Sequence, residues 1–317
     1  MPLNGRYRQN KRTLELKTYH YLVAALLLTA GLNVIAEEET EQPSSPPDTE
    51  VHLFNLGVKD GRYVLMNGHN ISNNLGYDNQ PYFTDENKSL LFVSVRDGKQ
   101  SDVYEYDLKS EKTQQITKTP HSEYSPKTYA NNSAITFVSE GGNPYQSVWK
   151  QERKTGENSW LLNSKEPVGY YSTNHQTGDV LFWSRYGWSV QYLNIKRDEG
   201  RFVSGNALPS SPQQIPNSDK FSFVHRQSNS EVWIKAFDPK DFSITPMAPI
   251  YGPNYEYTWA PNGDILRIED NQLFVWPYKS KGYRWQKGQD LSKYFKGEAT
   301  RMAISPNGKY IALVENK

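Results

Sequence analysis

The sequence predicts an all-β fold, a six-bladed β-propeller of four-stranded blades whose last blade is closed by strands from both termini. Three observations carry this reading. A strand–turn–strand pattern recurs along the chain, at steps of 45 residues where the copies are clearest. Each copy holds apolar runs rich in β-branched and aromatic residues, separated by Asn, Gly and Asp turns. The final copy stops halfway, and its missing strands stand at the other end of the chain.

Self-similarity at a fixed period is the mark of a repeat architecture. NQPYFTDENKSLLFVS, EYSPKTYANNSAITFVS and YYSTNHQTGDVLFWS bring Pro81, Pro126 and Tyr171 into one column, and Phe92, Phe137 and Phe182 into another. Ser94, Ser139 and Ser184 keep the same register, and Val103, Val148 and Leu193 are read as one column of the next strand. Pro212 with Phe223 begins a fourth copy, Tyr257 a fifth and Met302 a sixth. The step of 41 into the fourth copy places an indel around residues 200–212.

Within each copy the grammar is constant. A first strand meets the turn DENK, ANNS, QTGD, PNSD, PNGD or PNGK, whose Asn, Gly and Asp residues supply the positive φ that a tight hairpin needs. The second strand, such as LLFVSV or AITFVS, is apolar on both faces, as a strand buried between neighbouring blades should be. A third strand such as DVYEYDL and a polar outer strand such as QQITKT complete the unit. Four strands in ~45 residues is propeller spacing. The sixth copy ends at Lys317 after two strands; EVHLFNL (50–56) and GRYVLMNG (61–68) read as its third and outer strands. Such closure removes exposed sheet edges.

Residues 1–36 read as a signal peptide. Arg6, Arg8, Lys11, Arg12 and Lys17 precede the apolar run YLVAALLLTA (21–30), and Val34-Ile35-Ala36 offers a cleavage site. The run is shorter than the roughly 20 residues of a spanning helix, so no stable membrane span is expected after cleavage; an uncleaved anchor is the alternative. NKRTLEL (10–16) loosely resembles a twin-arginine signal with Lys replacing one Arg. Residues 37–50, EEETEQPSSPPDTE, are acidic and rich in Pro and Ser, and are expected to form a disordered linker, leaving 51–317 as the propeller. A cysteine-free exported chain suits an oxidising compartment. The periplasm is therefore expected, with secretion second. A net charge of +1 provides no electrostatic footprint for nucleic acid.

YTWAPNG (257–263), ISPNGKYIA (304–312) and DVYEYDL (102–108) resemble the blade pattern of TolB-like propellers, a WD-repeat-like superfamily. The resemblance covers roughly residues 50–317. EYSP (123–126), PVGY (167–170), FSFV (221–224) and TRMA (300–303) are similar to a group of exported bacterial propellers of unknown function. This resemblance implies a fold and a compartment, and no activity.

In a propeller, the loops entering the inner strands and those joining second to third strands meet on one face, around the central channel. Loops held on a rigid scaffold carry function. Asp78, Glu123, Glu256 and Arg301 each fall within three residues of an inner strand's start and are expected to converge at the channel mouth. His121 shares the loop of Glu123, and Tyr170 stands at the equivalent place in the third copy. Together they are the expected ligand-binding residues; a hydrated rim, with Arg301 paired to an acid, is the plainer reading. The six His show no ligand spacing, so neither a metal nor another cofactor is expected. Tyr145, Tyr170, Tyr186, Trp188 and Tyr255 place aromatics on the same face, as a peptide or a sugar ring would use. No GxSxG elbow or phosphate loop is present. The expected role is a binding or scaffolding module for a protein or peptide, not an enzyme. A carbohydrate-binding propeller is the alternative, and a lyase or hydrolase using Glu123, Glu256 and His121 ranks third.

Cleavage after Ala36 is expected in the native host. The intact mass of the exported protein checks it: a mature chain still carrying residues 1–36 would contradict the signal-peptide reading.

Overall fold

Among the described residues, six four-stranded antiparallel sheets follow one another along the chain. The computed structural model describes residues 47–96, 98, 100–142, 145–162, 164–278 and 283–317. The expected signal peptide, and the linker up to residue 46, lie outside the described residues. Blades one to five occupy residues 78–115, 123–160, 168–204, 213–250 and 258–290. Blade six takes its inner and second strands, Glu298–Ile304 and Tyr310–Asn316, from one end of the sequence, and its third and outer strands, Thr49–Lys59 and Arg62–Asn70, from the other. No helix among the described residues is long and apolar enough to cross a membrane.

Every inner-to-second turn holds a residue in the left-handed region where the sequence predicts one: Asn87, Asn132, Gly178, Asn217, Gly263 and Gly308. The second strands Ser89–Ser94, Ala134–Ser139 and Asp179–Ser184 are buried at every position. Side chains alternate across a strand, so each second strand serves two interfaces. Leu90 and Phe92 pack toward blade six, whereas Leu91 packs toward blade two. Ala312 and Val314 meet blade one, whereas Ile311 and Leu313 meet blade five. The described hydrophobic clusters correspond to the blade interfaces, one to each. Each buried Leu, Val or Phe contributes roughly 1.5–3 kcal/mol, so the ring is held by packing between blades.

Blade six closes as the sequence predicts. Thr49 to Asn55 pair residue by residue with Asn316 to Tyr310. Phe54, 1% exposed, is wedged against Tyr294 and Phe295 at ring distances of 5.0 and 6.0 Å. The closing strand begins at Thr49, so Thr49 and Glu50 belong to the sheet and not to the linker in which the composition places them. Glu50 is 2% exposed because it has partners: Ser72 Oγ donates to it at 2.5 Å and Lys317 Nζ at 2.7 Å.

The indel lies mostly elsewhere than expected. Phe92 pairs with Tyr104 and Phe137 with Trp149, each twelve positions on, but Phe182 pairs with Gln191, only nine on. Three residues are therefore missing from the loop joining Ser184 to Ser189, not from 200–212. Val190, opposite Trp183, is the true counterpart of Val103 and Val148, and Leu193 is not. Leu193 matches only in numbering, because the shortened loop advances the whole third strand.

Phe54→Ala is expected to cost about 3–5 kcal/mol in urea unfolding, through the cavity it leaves at the closing strand. Val58→Ala, exposed on the same strand, is expected to stay within about 0.5 kcal/mol.

Candidate functional site

The inner strands are irregular where they line the channel. Gln80 and Ser125 are left-handed, with φ of 55° and 54°, and the ladder breaks around both. Such bulges re-aim side chains. The Gln80 carboxamide accepts a hydrogen bond from the Ser125 backbone N–H of the next blade at 2.5 Å, satisfying a donor the bulge releases. Breaks also precede Tyr170 and Arg301 in their strands. The repeat thus sets Gln80, Ser125, Tyr170, Glu256 and Arg301 at one level of the channel wall.

Arg301 organises that level. Its Nη2 and Nε donate to Glu256 Oε1 at 2.7 and 3.1 Å. Nη2 also reaches Tyr170 Oη at 3.3 Å, and Nη1 reaches Asn79 Oδ1 at 3.4 Å. Burial opposes the charge, but Glu256, Tyr170 and Tyr77 outweigh it and hold the guanidinium above its usual pKa. The guanidinium also lies over the Tyr170 ring, 5.4 Å from its centroid. Tyr170 packs on Trp183 at 5.6 Å, and Trp183 meets Trp188 edge-on at 5.9 Å. A continuous run of rings therefore leads from the channel to Trp188, which is 52% exposed and itself left-handed, with φ of 44°. A bulky side chain in that region is strained, and strain of this kind gathers at functional sites.

Below this level the channel holds a cavity of about 430 Å³. Glu256, Tyr170 and Arg301 stand at one end, and it extends to Pro216, Asn217, Pro261 and Pro306 at the turns of the opposite face. Glu256 and Arg301 also border a shallower hollow with Asn79 and Glu298. The structure thus brings together Tyr170, Glu256 and Arg301. It does not bring Asp78, Glu123 and His121 to them: none lines the cavity.

Asp78 and Glu123 are fully buried beside their strand partners Ser94 and Ser139. Neither Asp78 carboxylate oxygen has a donor in hydrogen-bonding geometry, although Ser94 and Arg96 lie alongside. Burial raises its pKa to about 6. Glu123 accepts from Thr119 Oγ1 at 2.5 Å but leaves Oε2 unpartnered, and burial raises it to about 7 against the opposing effect of Thr117 and Thr119. His121 is exposed, its ring lying over Gly141, where a Cβ would come within 2.1 Å.

Lys127 is the channel residue that sequence reasoning missed. Its signal was available, since Tyr82, Lys127 and Ser172 share one repeat column, and all three line the cavity. Its ammonium lies 4.9 Å from the Tyr82 ring centroid and 5.6 Å from that of Tyr171. Burial, aided by Arg301, lowers its pKa to about 8.

No protein-family model matches the chain, and no curated protein matches its sequence. Solved structures do match its architecture. The putative TolB from Agrobacterium tumefaciens superposes with a TM-score of 0.64 at 11% identity, over 86% of this chain and 99% of that one. The fold is that of the TolB-like propellers. TolB from Acinetobacter baumannii is similar at a TM-score of 0.56 and 14% identity, over 85% of this chain. The match spans 64% of that protein, less than two thirds of its length. An oligogalacturonate lyase in complex with manganese is similar at 0.54 and 14% identity, over 86% of this chain and 92% of that one. At these identities the likeness concerns the fold alone. Among the described residues, no group of three or more His, Cys, Asp or Glu side chains is placed to hold a metal ion.

The raised carboxylates have a signed consequence. An acid that titrates higher in the folded state stabilises it below the unfolded pKa and loses that contribution as pH rises through the folded one. For Asp78 and Glu123 the loss falls between about pH 4 and pH 7. Asp78→Asn and Glu123→Gln are each expected to gain stability relative to the parent as pH rises from 4.5 to 7.5, measured by thermal unfolding across that range.

Proposed function

We propose that this chain is an exported, periplasmic binding or scaffolding module that takes a protein or peptide partner on the loop face, at the channel mouth. The observation that carries it is the run Glu256–Arg301–Tyr170–Trp183–Trp188, which ties a fixed charge centre to an exposed aromatic on a strained, shortened loop. Tyr186 in the same loop and Tyr145 in the neighbouring one are 66% and 47% exposed. Aromatics and Arg anchored in rigid surroundings are the residues that dominate protein interfaces. Each guanidinium nitrogen of Arg301 already has a partner, which suits a preorganised rim better than a group that moves during a reaction. Export rests on the basic segment, short apolar core and Ala36 site at the start of the sequence.

The test is capture from native periplasm with the parent and three variants. Trp188→Ala and Arg301→Met are expected to lose the partner by about tenfold or more, the scale of a truncated interface anchor. Glu86→Gln, on the turn face, is expected to retain it. Loss on Glu86→Gln with retention by the other two would place the binding face wrongly. Saturable glycan binding abolished by Trp188→Ala would support the carbohydrate reading instead.

A further inference from the structure

The channel interior contains a second feature, independent of the loop face. Ser125 is only 6% exposed, its buried Oγ has no hydrogen-bond partner, and the residue borders the cavity. Its backbone is held by the Gln80 carboxamide in a left-handed conformation. A buried hydroxyl without a partner costs free energy that a bound group would recover. Lys127 follows two positions on along the same strand and lines the same cavity. Only aromatic faces attend its ammonium; among the described residues it forms no ion pair.

The charges around the cavity do not cancel. Its walls carry two cations, Lys127 and Arg301, and one carboxylate, Glu256. Arg301 and Glu256 neutralise each other at 2.7 Å. One positive charge is left over, at a position where burial disfavours it. We propose that the channel interior beneath the Arg301–Glu256 pair is a carboxylate site, in which Lys127 Nζ and Ser125 Oγ hold the anionic group of a small ligand that reaches it from the turn face. One surplus cation and one hydroxyl donor match a monoanion. A phosphate group, with charge near −2 and three acceptor oxygens, would leave acceptors unmet, because the guanidinium of Arg301 is already engaged. The remaining walls suit a compact polar body: Ser172, Gln213 and Thr258 face it with neutral groups. A volume of about 430 Å³ lies in the range of small-molecule sites.

The depressed pKa of Lys127 agrees with this geometry. Burial and Arg301 disfavour its charge, Glu256 opposes them, and Tyr82, Tyr170, Tyr171 and Tyr257 are the other titratable groups around it or the cavity. A bound carboxylate would favour the ammonium and raise that pKa.

The carboxylate could belong to a free small molecule or to the C-terminus of a peptide, and the experiment separates them. The probes are acetate, N-acetyl-Ala-Ala with a free carboxylate, and the same dipeptide as its C-terminal amide. The readouts are calorimetric affinity and the Lys127 ¹⁵Nζ titration in acetate against chloride at equal ionic strength. Acetate is expected to raise the Lys127 pKa by half a unit or more. Lys127→Met is expected to weaken acid binding about 10- to 100-fold and Ser125→Ala several-fold, the scale of a lost charge-assisted and a lost neutral hydrogen bond. Both variants are checked for parental thermal unfolding, and Ser125→Ala decides if Lys127→Met fails to fold. Tighter binding of the dipeptide acid than of acetate assigns the site to a peptide terminus; binding of acetate alone assigns it to a free carboxylate. Equal binding of acid and amide, undiminished binding by the variants, or a Lys127 pKa unmoved by acetate would overturn the proposal.

Discussion

The ladder between residues 49–55 and 310–316 is the constraint on which the rest depends. It joins strands from both halves of blade six inside one sheet, so the second strand Tyr310–Asn316 and the third strand Thr49–Lys59 are both paired on their two sides. Its cost is the loop-closure entropy of the whole ring, which grows only slowly with length. Its return is geometric. Arg301, Tyr170 and Asn79 belong to three different blades and Glu256 to the loop entering a fourth, and they meet within hydrogen-bonding distance only because the ring is shut. The closing strand also packs its own core residues, Val51 and Leu53 toward blade one and Phe54 toward blade five.

The repeat supplies equivalent positions, and the chain uses them for different chemistry. One column holds Gln80, Ser125, Tyr170, Glu256 and Arg301: a clasp, an unpartnered hydroxyl, an aromatic platform and an ion pair. The next holds Tyr82, Lys127 and Ser172, of which only Lys127 bears charge. The solvent each position meets decides how its charge behaves. Arg301 keeps its proton firmly because Glu256 stands beside it. Lys127 holds its own loosely because burial and Arg301 outweigh the pull of Glu256. Asp78 and Glu123, two positions before the first column's Gln80 and Ser125, fall between packed blades, where burial without sufficient donors favours the neutral acid.

Much of this was legible in one dimension. The alternation of apolar residues, the Asn and Gly turns and the 45-residue step define six blades, since each is a local pattern that a local rule reads. The half-copy at Lys317 announces the closure. Counts and directions along the chain do not translate directly into space. Leu193 was aligned with Val103 by number, but strand pairing follows hydrogen bonds, and the three residues missing before Ser189 shift the register to Val190. The expectation that Asp78 and Glu123 reach the channel mouth rests on their distance from a strand start. A bulge at Gln80 and another at Ser125 lie just downstream, and a bulge changes which side chains face the channel.

The sequence by itself determined the architecture, the blade that joins the termini, and the candidates Tyr170, Glu256 and Arg301, because periodicity and strand position are properties of the chain read along its length. The tertiary structure decided which charges meet. It paired Arg301 with Glu256, buried Asp78 and Glu123 apart from them, and left Lys127 and Ser125, whose hydroxyl is unpartnered, bordering one interior cavity. Pairing, burial and surplus charge depend on distances between residues far apart in the chain, 222 positions in the case of Asn79 and Arg301. A linear pattern names such residues, but only the closed ring sets how far apart they stand and how much water lies between them.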